Sequence, residues 1–544
     1  MAVKTGEAGK AAALPVARLI VLLALLAASA ASPCRAGLPE IGRLYGEGRL
    51  SEARAQAEDL VRREPDKPEN RELLVDILIS EHRWDDAIRA CQEGLAAVPQ
   101  DVKLRLTMAR VYSWTRRFSE SVGAYDACIA AQPRLLDCWI EKARVLGWAK
   151  RFGPALAAYR AALDQGGVDW LRPEMQAKEA LWSQRVFAAE ELDLAALEAK
   201  PDNQESLMDL AQLYSFSGRH RLAQETYKRL LAVNPYHTAA IRSLEKDEVR
   251  DRGLRLSAGM DHWNADSSER EIEVDRIGTF LEAAWGMTEE WTLSAAGERS
   301  VYRFDLEDDV AENVVGGRLA YVRGMRGGAS ARFDWSAYEG ASKARASYGA
   351  GGWVKPVEGL DLSLAYAREN LGTNRANVVD GLSRWALASR GAYALGRVLT
   401  VAGDYKYGRV SDGNPFHIAG AELEVTVLER PRKLYAAARF ETWSYEHDSS
   451  RYYSPGSYQT YAGLIGYRHD FGSEGQVYGA PERYADLRLR LVLDSNRDPE
   501  LNPSLVLHGD LGPRFYAEAS LSLNDSKYYR DKAVYAVLGA HLGR

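Results

Sequence analysis

Charged side chains in the second half of this chain recur at every second position. Between Ala485 and Leu493, the residues Leu487, Leu489, Leu491 and Leu493 alternate with Asp486, Arg488 and Arg490. The same spacing places Arg332 with Asp334, Asp404 with Lys406, Glu422 with Glu424, Arg439 with Glu441 and Trp443, and Glu518 among small, apolar or aromatic neighbours. Residues two apart share one face of an extended strand. These groups would therefore line one surface with both signs of charge, which suits a wet lumen and many weak, exchangeable contacts. The bland alternative is that the charges pair with one another and only stabilise that surface. Catalysis has less support. His262, His417, His447, His469, His508 and His541 fall in no nucleophile motif, His469-Asp470 being the best isolated candidate. His82, His220 and His237 fall at helix ends or turns, and Cys91, Cys128 and Cys138 lack metal-ligand spacing. Neither an enzyme, nor a cofactor, nor a metal centre is expected.

The elements that must position these residues are strands. Segments 329–338, 360–366, 419–427, 434–445, 485–493 and 515–523 all alternate. Alternation over about ten residues, repeated many times, is the signature of a transmembrane β-barrel. A soluble sandwich also alternates, but the apolar side, the mixed-charge side and an export signal together favour the barrel. Turn signals divide residues 253–544 into about sixteen antiparallel strands. Short turns at 287–290, 324–327, 358–359, 395–396, 429–432 and 510–513 separate longer polar loops at 264–270, 305–312, 339–344, 370–382, 410–415, 446–457, 495–502 and 525–531. Segment 471–483 is long where a short turn is due. Bacterial barrels turn tightly in the periplasm and loop outside. Such barrels commonly end on an aromatic residue, whereas this chain ends His541-Leu-Gly-Arg544.

The first half keeps a different period. Pro65, Pro99, Pro133, Pro201 and Pro235 are spaced by 34, 34, 68 and 34 residues, the missing beat falling at Gly167. Twelve residues before each beat stand Ala53, Ala87, Ser121, Ala155, Ala189 and Ala223; aromatic fillers recur at Tyr112 and Tyr214 and at Tyr125, Tyr159 and Tyr227. Small residues let the two helices of a repeat approach, and the tyrosines fill the grooves between repeats. This pattern resembles the tetratricopeptide (TPR) repeat, which implies an α-solenoid offering a protein-binding surface. We place that solenoid at 37–245, with a degenerate repeat at 170–201, and a linker at 246–252. Residues 1–36 read as a secretory signal: Lys4, Lys10 and Arg18, then an apolar core from Leu19 to Ala28, then cleavage after Ala36. Export to an oxidising compartment leaves two readings of Cys128 and Cys138, which face each other across the Pro133 turn: a disulfide, or two small buried residues. The fold class is thus α + β multidomain, an all-α solenoid followed by a transmembrane antiparallel β-barrel. A formal net charge of −6 gives no nucleic-acid footprint.

TPR repeats followed by a barrel of this size resemble the exopolysaccharide export proteins of Gram-negative bacteria, among them the cellulose synthase C subunit, the poly-N-acetylglucosamine porin, the Pel export protein and the YaiO-type family. The matching segments are Ala109-Arg-Val-Tyr-Ser-Trp-Thr-Arg-Arg-Phe118, Ala143-Arg-Val-Leu-Gly-Trp-Ala-Lys-Arg-Phe152 and Tyr452-Tyr-Ser-Pro-Gly-Ser-Tyr458. The resemblance implies a monomeric outer-membrane barrel in outer-membrane lipid with its repeats in the periplasm. It implies a polysaccharide chain in the lumen, sliding over the charged residues above and over Tyr435, Trp443 and Tyr445. Synthesis or modification proteins of the periplasm or inner membrane would bind the repeats. A non-transporting anchor for a TPR platform is the alternative, and a barrel-embedded enzyme a more distant one.

Overall fold

Helical hairpins form where the 34-residue pattern places small residues at the crossing point. The computed structural model describes residues 37–542 except 167, 236, 252, 268–271, 305–306, 340–343, 372–374, 429–431, 472–482, 496–498 and 526–529. The expected signal segment, the beat at Gly167 and most of 471–483 therefore lie outside the described residues. Contacts divide the chain into two compact units, with the boundary between residues 167 and 168.

The first unit holds α1 (Leu38–Gly46), α2 (Leu50–Arg63), α3 (Pro68–Ser80), α4 (Trp84–Ala97), α5 (Val102–Trp114), α6 (Phe118–Ala131), α7 (Leu136–Trp148) and α8 (Phe152–Asp164). Ala53, Ala87, Ser121 and Ala155 are all fully buried. Ser121 tolerates this because its hydroxyl donates to the Ala109 carbonyl at 2.8 Å. Tyr112, Tyr125 and Tyr159 are buried between helices. The Tyr125 hydroxyl donates at 2.7 Å to Glu141, a carboxylate that also holds Arg110. A buried hydroxyl without such a partner would oppose folding.

Cys128 on α6 and Cys138 on α7 are disulfide-bonded, and both are buried. Cys91 is a free, buried thiol. Burial pushes it up to about 12, so its reactive thiolate is suppressed. Alkylation followed by peptide mass spectrometry should therefore label Cys91 only after unfolding, and Cys128 and Cys138 only after unfolding and reduction. Labelling of Cys91 in native protein would contradict this packing.

The second unit opens with α9 (Leu171–Trp182), α10 (Val186–Ala199), α11 (Gln204–Phe216), α12 (His220–Val233) and α13 (Thr238–Arg250), which bring the helices described ahead of the first strand to thirteen. Ala189 and Ala223 are again fully buried, as are Tyr214 and Tyr227 to within a few per cent. Helix α13 runs through most of the segment expected as a linker, because Val249 and Asp247 are buried on it. The degenerate repeat differs in its core. It buries Glu174, Lys178 and Asp193 against Asn203 and Asp209 of the following repeat. Lys178 bridges Glu205 and Asp209 at 2.7 Å each, and Asn203 donates to Glu174 at 2.7 Å.

Burial and the neighbouring Asp209 hold the Asp193 carboxyl well above the usual carboxylate range. A carboxyl raised in the folded state adds stability below its unfolded pKa and loses it as pH rises through the folded value. Asp193→Asn should therefore raise the stability of α9–α12 at neutral pH and flatten its fall between acid and neutral pH. Hydrogen exchange of these helices across that range would read the effect; an unchanged profile would contradict it.

Sixteen antiparallel strands then close into a barrel in chain order: β1 (Leu254–Ser267), β2 (Ile272–Gly286), β3 (Trp291–Phe304), β4 (Glu307–Arg323), β5 (Gly327–Tyr338), β6 (Arg345–Val354), β7 (Leu360–Asn370), β8 (Ser383–Leu395), β9 (Leu399–Val410), β10 (Pro415–Leu428), β11 (Arg432–Tyr445), β12 (Tyr458–Asp470), β13 (Arg483–Asp494), β14 (Pro499–Asp510), β15 (Phe515–Asp525) and β16 (Arg530–Leu542). β16 pairs with β1 from Leu254↔Leu542 to Asp266↔Arg530, so the last strand is in place despite its non-aromatic end. The alternation sorts cleanly: Leu487, Leu489, Leu491 and Leu493 are exposed while Asp486 is buried. Four expected loops are shorter than predicted, since β1 runs to Ser267, β4 starts at Glu307, β14 at Pro499 and β16 at Arg530. The expected loop at 370–382 instead contains a short helix, α14 (Arg375–Asp380). No helix among the described residues is long and apolar enough to cross a membrane; the barrel, with its apolar outer face, is of the outer-membrane type.

Candidate functional site: the lumen and the short-turn rim

Register decides which side chains share the interior. All of Arg332, Asp334, Asp404, Lys406, Glu422, Glu424, Arg439, Glu441, Trp443, Asp486, Arg488, Arg490 and Glu518 fall on the face opposite the exposed leucines, valines and aromatics, and so do Tyr435 and Tyr445. Most of them are engaged with one another. Arg439 lies at the centre: it holds Asp404 through two hydrogen bonds of 2.8 and 3.1 Å, and Glu441 at 2.6 Å. Glu422 stands 3.5 Å from Arg390 and 3.7 Å from Arg439. Arg332 and Arg384 share Glu369 at 3.4 Å each. Glu424 pairs with Lys433, Asp486 with Arg488, and Glu518 with His508. Asp334 lies over Gly316 on the neighbouring strand. Lys406 and Arg490 have no ion-pair partner among the described residues.

Two interior glycines make room for these groups. A Cβ at Gly420 would lie 2.5 Å from the Arg439 guanidinium and 2.8 Å from Asp404. A Cβ at Gly466 would run into the Tyr435 ring. A strand glycine of this kind marks the close approach of another group.

The long-loop mouth contains an element that the sequence pattern did not disclose. Helix α14 folds inward, and Val378 is buried against Ala265, Val274, Tyr302, Phe304, Val310 and Tyr338 on the inner faces of β1 to β5. Arg345 donates to the carbonyls of Val378 and Val379 while lying 4.5 Å over the Tyr338 ring. Asn377 donates to the Arg451 carbonyl at 2.6 Å, and Arg451 pairs with Asp380. Tyr452 reaches Asp412 at 2.9 Å and Asn414 at 3.0 Å, tying loop 446–457 to the same mouth. The signal was present as two adjacent valines, Val378 and Val379, between Leu371 and Leu382 in the loop.

At the opposite rim, barrel turns cap helices. Glu358, between β6 and β7, accepts from the Phe187 amide at 2.9 Å and the Ala188 amide at 3.4 Å, at the start of α10. Glu289, between β2 and β3, accepts from the Arg221 and Leu222 amides at the start of α12. The first amides of a helix have no internal acceptor and attract negative charge. Asp510 holds Lys246 and Arg250 of α13 at 3.0 and 3.1 Å. Arg326 lies 4.3 Å over Phe187, and Met325 packs beside Leu181 and Leu213. A sequence signal for this docking existed. The third residue of α2, α4 and α6 is Glu52, Asp86 or Glu120; in α10 and α12 it is Ala188 or Leu222. In α8 the third residue is Pro154, so three helices of this series lack their own carboxylate, and two of them, α10 and α12, receive one from the barrel.

Replacing Glu289 and Glu358 together by Ala should cost about 1 kcal/mol per cap. Hydrogen exchange at Phe187, Ala188, Arg221 and Leu222 should accelerate, with barrel content by circular dichroism unchanged. Unaltered exchange would mean that the apolar contacts alone hold the helices.

No family model matches the chain, and no curated protein does. Among solved structures, one described as a bacterial polysaccharide outer membrane secretin aligns with a TM-score of 0.43 at 10% identity, covering 54% of this chain and 99% of that one. A tetratricopeptide repeat protein from Parabacteroides merdae aligns with a TM-score of 0.32 at 13% identity, covering 39% and 84%. YrrB, described as a TPR protein with an unusual peptide-binding site, aligns at 0.24 and 14% identity, covering 34% and 95%.

Proposed function

We propose that this protein is an outer-membrane export porin for an exopolysaccharide and that its TPR repeats recruit partner proteins to the pore. The observation that carries the reading is the docking of α10, α12 and α13 on the short-turn rim of a closed barrel whose interior is charged and aromatic. Short turns face the periplasm in bacterial barrels, so the repeats stand where a polymer arriving from the inner membrane would meet the pore. Sugars hydrogen-bond readily to paired charges, and a wall of many weak contacts allows passage where one tight site would stall it. The partners are the polysaccharide itself, the outer-membrane lipid, and periplasmic or inner-membrane synthesis or modification proteins held on the solenoid. The role requires no catalysis. The inward fold of α14 and the dense ion pairing favour a second reading, a closed barrel that anchors the repeats without transport.

Purified full-length protein should conduct ions in planar bilayers, and Arg345→Ala, which unties α14, should raise the unitary conductance. Deleting the protein should lower surface polysaccharide. A barrel that stays silent in both forms, together with unchanged surface polysaccharide, would leave the anchor as the remaining reading.

A further inference from the structure

We propose that the inner wall of β6–β11 carries a glycan track running from Trp353 to Trp443, and that Lys406 on this track takes an acidic substituent of the sugar; the inference rests on the export reading. Two cavities, of about 370 and 440 Å³, lie on this wall and share Ser363 and Arg390, so they form one groove. The lower cavity is lined by Trp353, Lys355 and Asp361, next to the short turn between β6 and β7. The upper one is lined by Arg384, Lys406 and Trp443, toward the long-loop end. On β8 the groove extends from Ala392 to Arg384, about 26 Å at roughly 3.3 Å per residue. That is room for a short oligosaccharide lying along the strands, the direction in which a polymer would travel.

The charge pattern selects the ligand. Asp404 and Glu441, the acids of the upper cavity, are both held by Arg439. Arg390 is met by Asp404 and Glu422 at 3.5 Å each, and Arg384 by Glu369. Lys406 has no ion-pair partner among the described residues; its ammonium lies 6.0 Å over the Phe416 ring. Lys406 and Trp443 line one cavity and stand in register on either side of Ile418; an unneutralised cation two strands from a half-buried indole suits a glycan segment that stacks a sugar ring on the aromatic while an acidic substituent meets the ammonium.

Isothermal titration calorimetry on the full-length protein in detergent, with an oligouronate and a neutral cello-oligosaccharide of equal length, tests this. The oligouronate should bind more tightly. Trp443→Ala should weaken both ligands roughly tenfold, the order of one aromatic contact, and Trp443→Phe should restore much of the loss. Lys406→Met should erase the preference for the uronate and leave the neutral ligand's affinity in place; circular dichroism checks that each variant is folded. Equal affinity for the two ligands in the unaltered protein overturns the acidic site. Unchanged binding in Trp443→Ala overturns the track. A protein that conducts in bilayers and binds neither oligosaccharide overturns the track while export stands. A protein that binds as described without conducting, and leaves surface polysaccharide unchanged, overturns export while the site stands.

Discussion

A chain segment in contact with lipid cannot leave a backbone amide or carbonyl unpaired, because no water is there to take it. The pairing of β16 with β1 meets this constraint for the last open edge, and much of the molecule follows from it. Closure turns a sheet with two faces into a wall with an inside and an outside. It converts the two-residue alternation of Leu487–Leu493 against Asp486–Arg490 into lipid contact on one side and a charged interior on the other. It also fixes where the helices enter. The first strand begins at Leu254, beside the end of the last, so α13 arrives at the seam next to the β14–β15 turn and meets Asp510 there.

From that seam the helices follow the rim. Asp510, Glu289 and Glu358 belong to turns on either side of the seam, and each binds a different helix. The two glutamates do for α10 and α12 what Glu52, Asp86 and Glu120 can do for their own helices. The free energy of a helix cap is small, on the order of 1 kcal/mol. Its value here is directional. An amide pair at a helix start accepts a carboxylate from one direction only, so two such caps set the angle of the hairpins on the barrel as well as their attachment. Arg326 over Phe187 and Met325 beside Leu181 add apolar and cation–π contact at the same rim.

Much of this was legible in the sequence because it is periodic. The 34-residue beat fixes the helix pairs, and the buried positions twelve residues before each beat were correctly small. Alternation fixes strand number and the inward face, since a two-residue period needs no knowledge of neighbours. What was not legible depends on pairing between distant segments. That Arg439 binds Asp404 rather than some other acid follows from the β9–β10–β11 register, which no local pattern encodes. Helix α14 was missed for a different reason. Its six residues are too few to show a period, and its apolar content is two valines. The capping glutamates were missed because the informative feature was a loss, the disappearance of an acid from the third helical position in α10 and α12.

The interior combines a tight network with a sparse remainder. Charges on a low-dielectric wall are costly unless paired, and the pairing around Arg439 removes most of that cost without apolar substitution. A fully paired wall would offer a sugar hydrogen bonds but no net charge by which to select it. Under the export reading proposed above, the few groups left over would carry the discrimination, and Lys406 is such a group, set among paired neighbours that cannot move to neutralise it without breaking their own bonds. That reading divides stability and selectivity between different residues of one surface: Arg439, Asp404 and Glu441 pair within the wall, and Lys406 with Trp443 would face a passing chain.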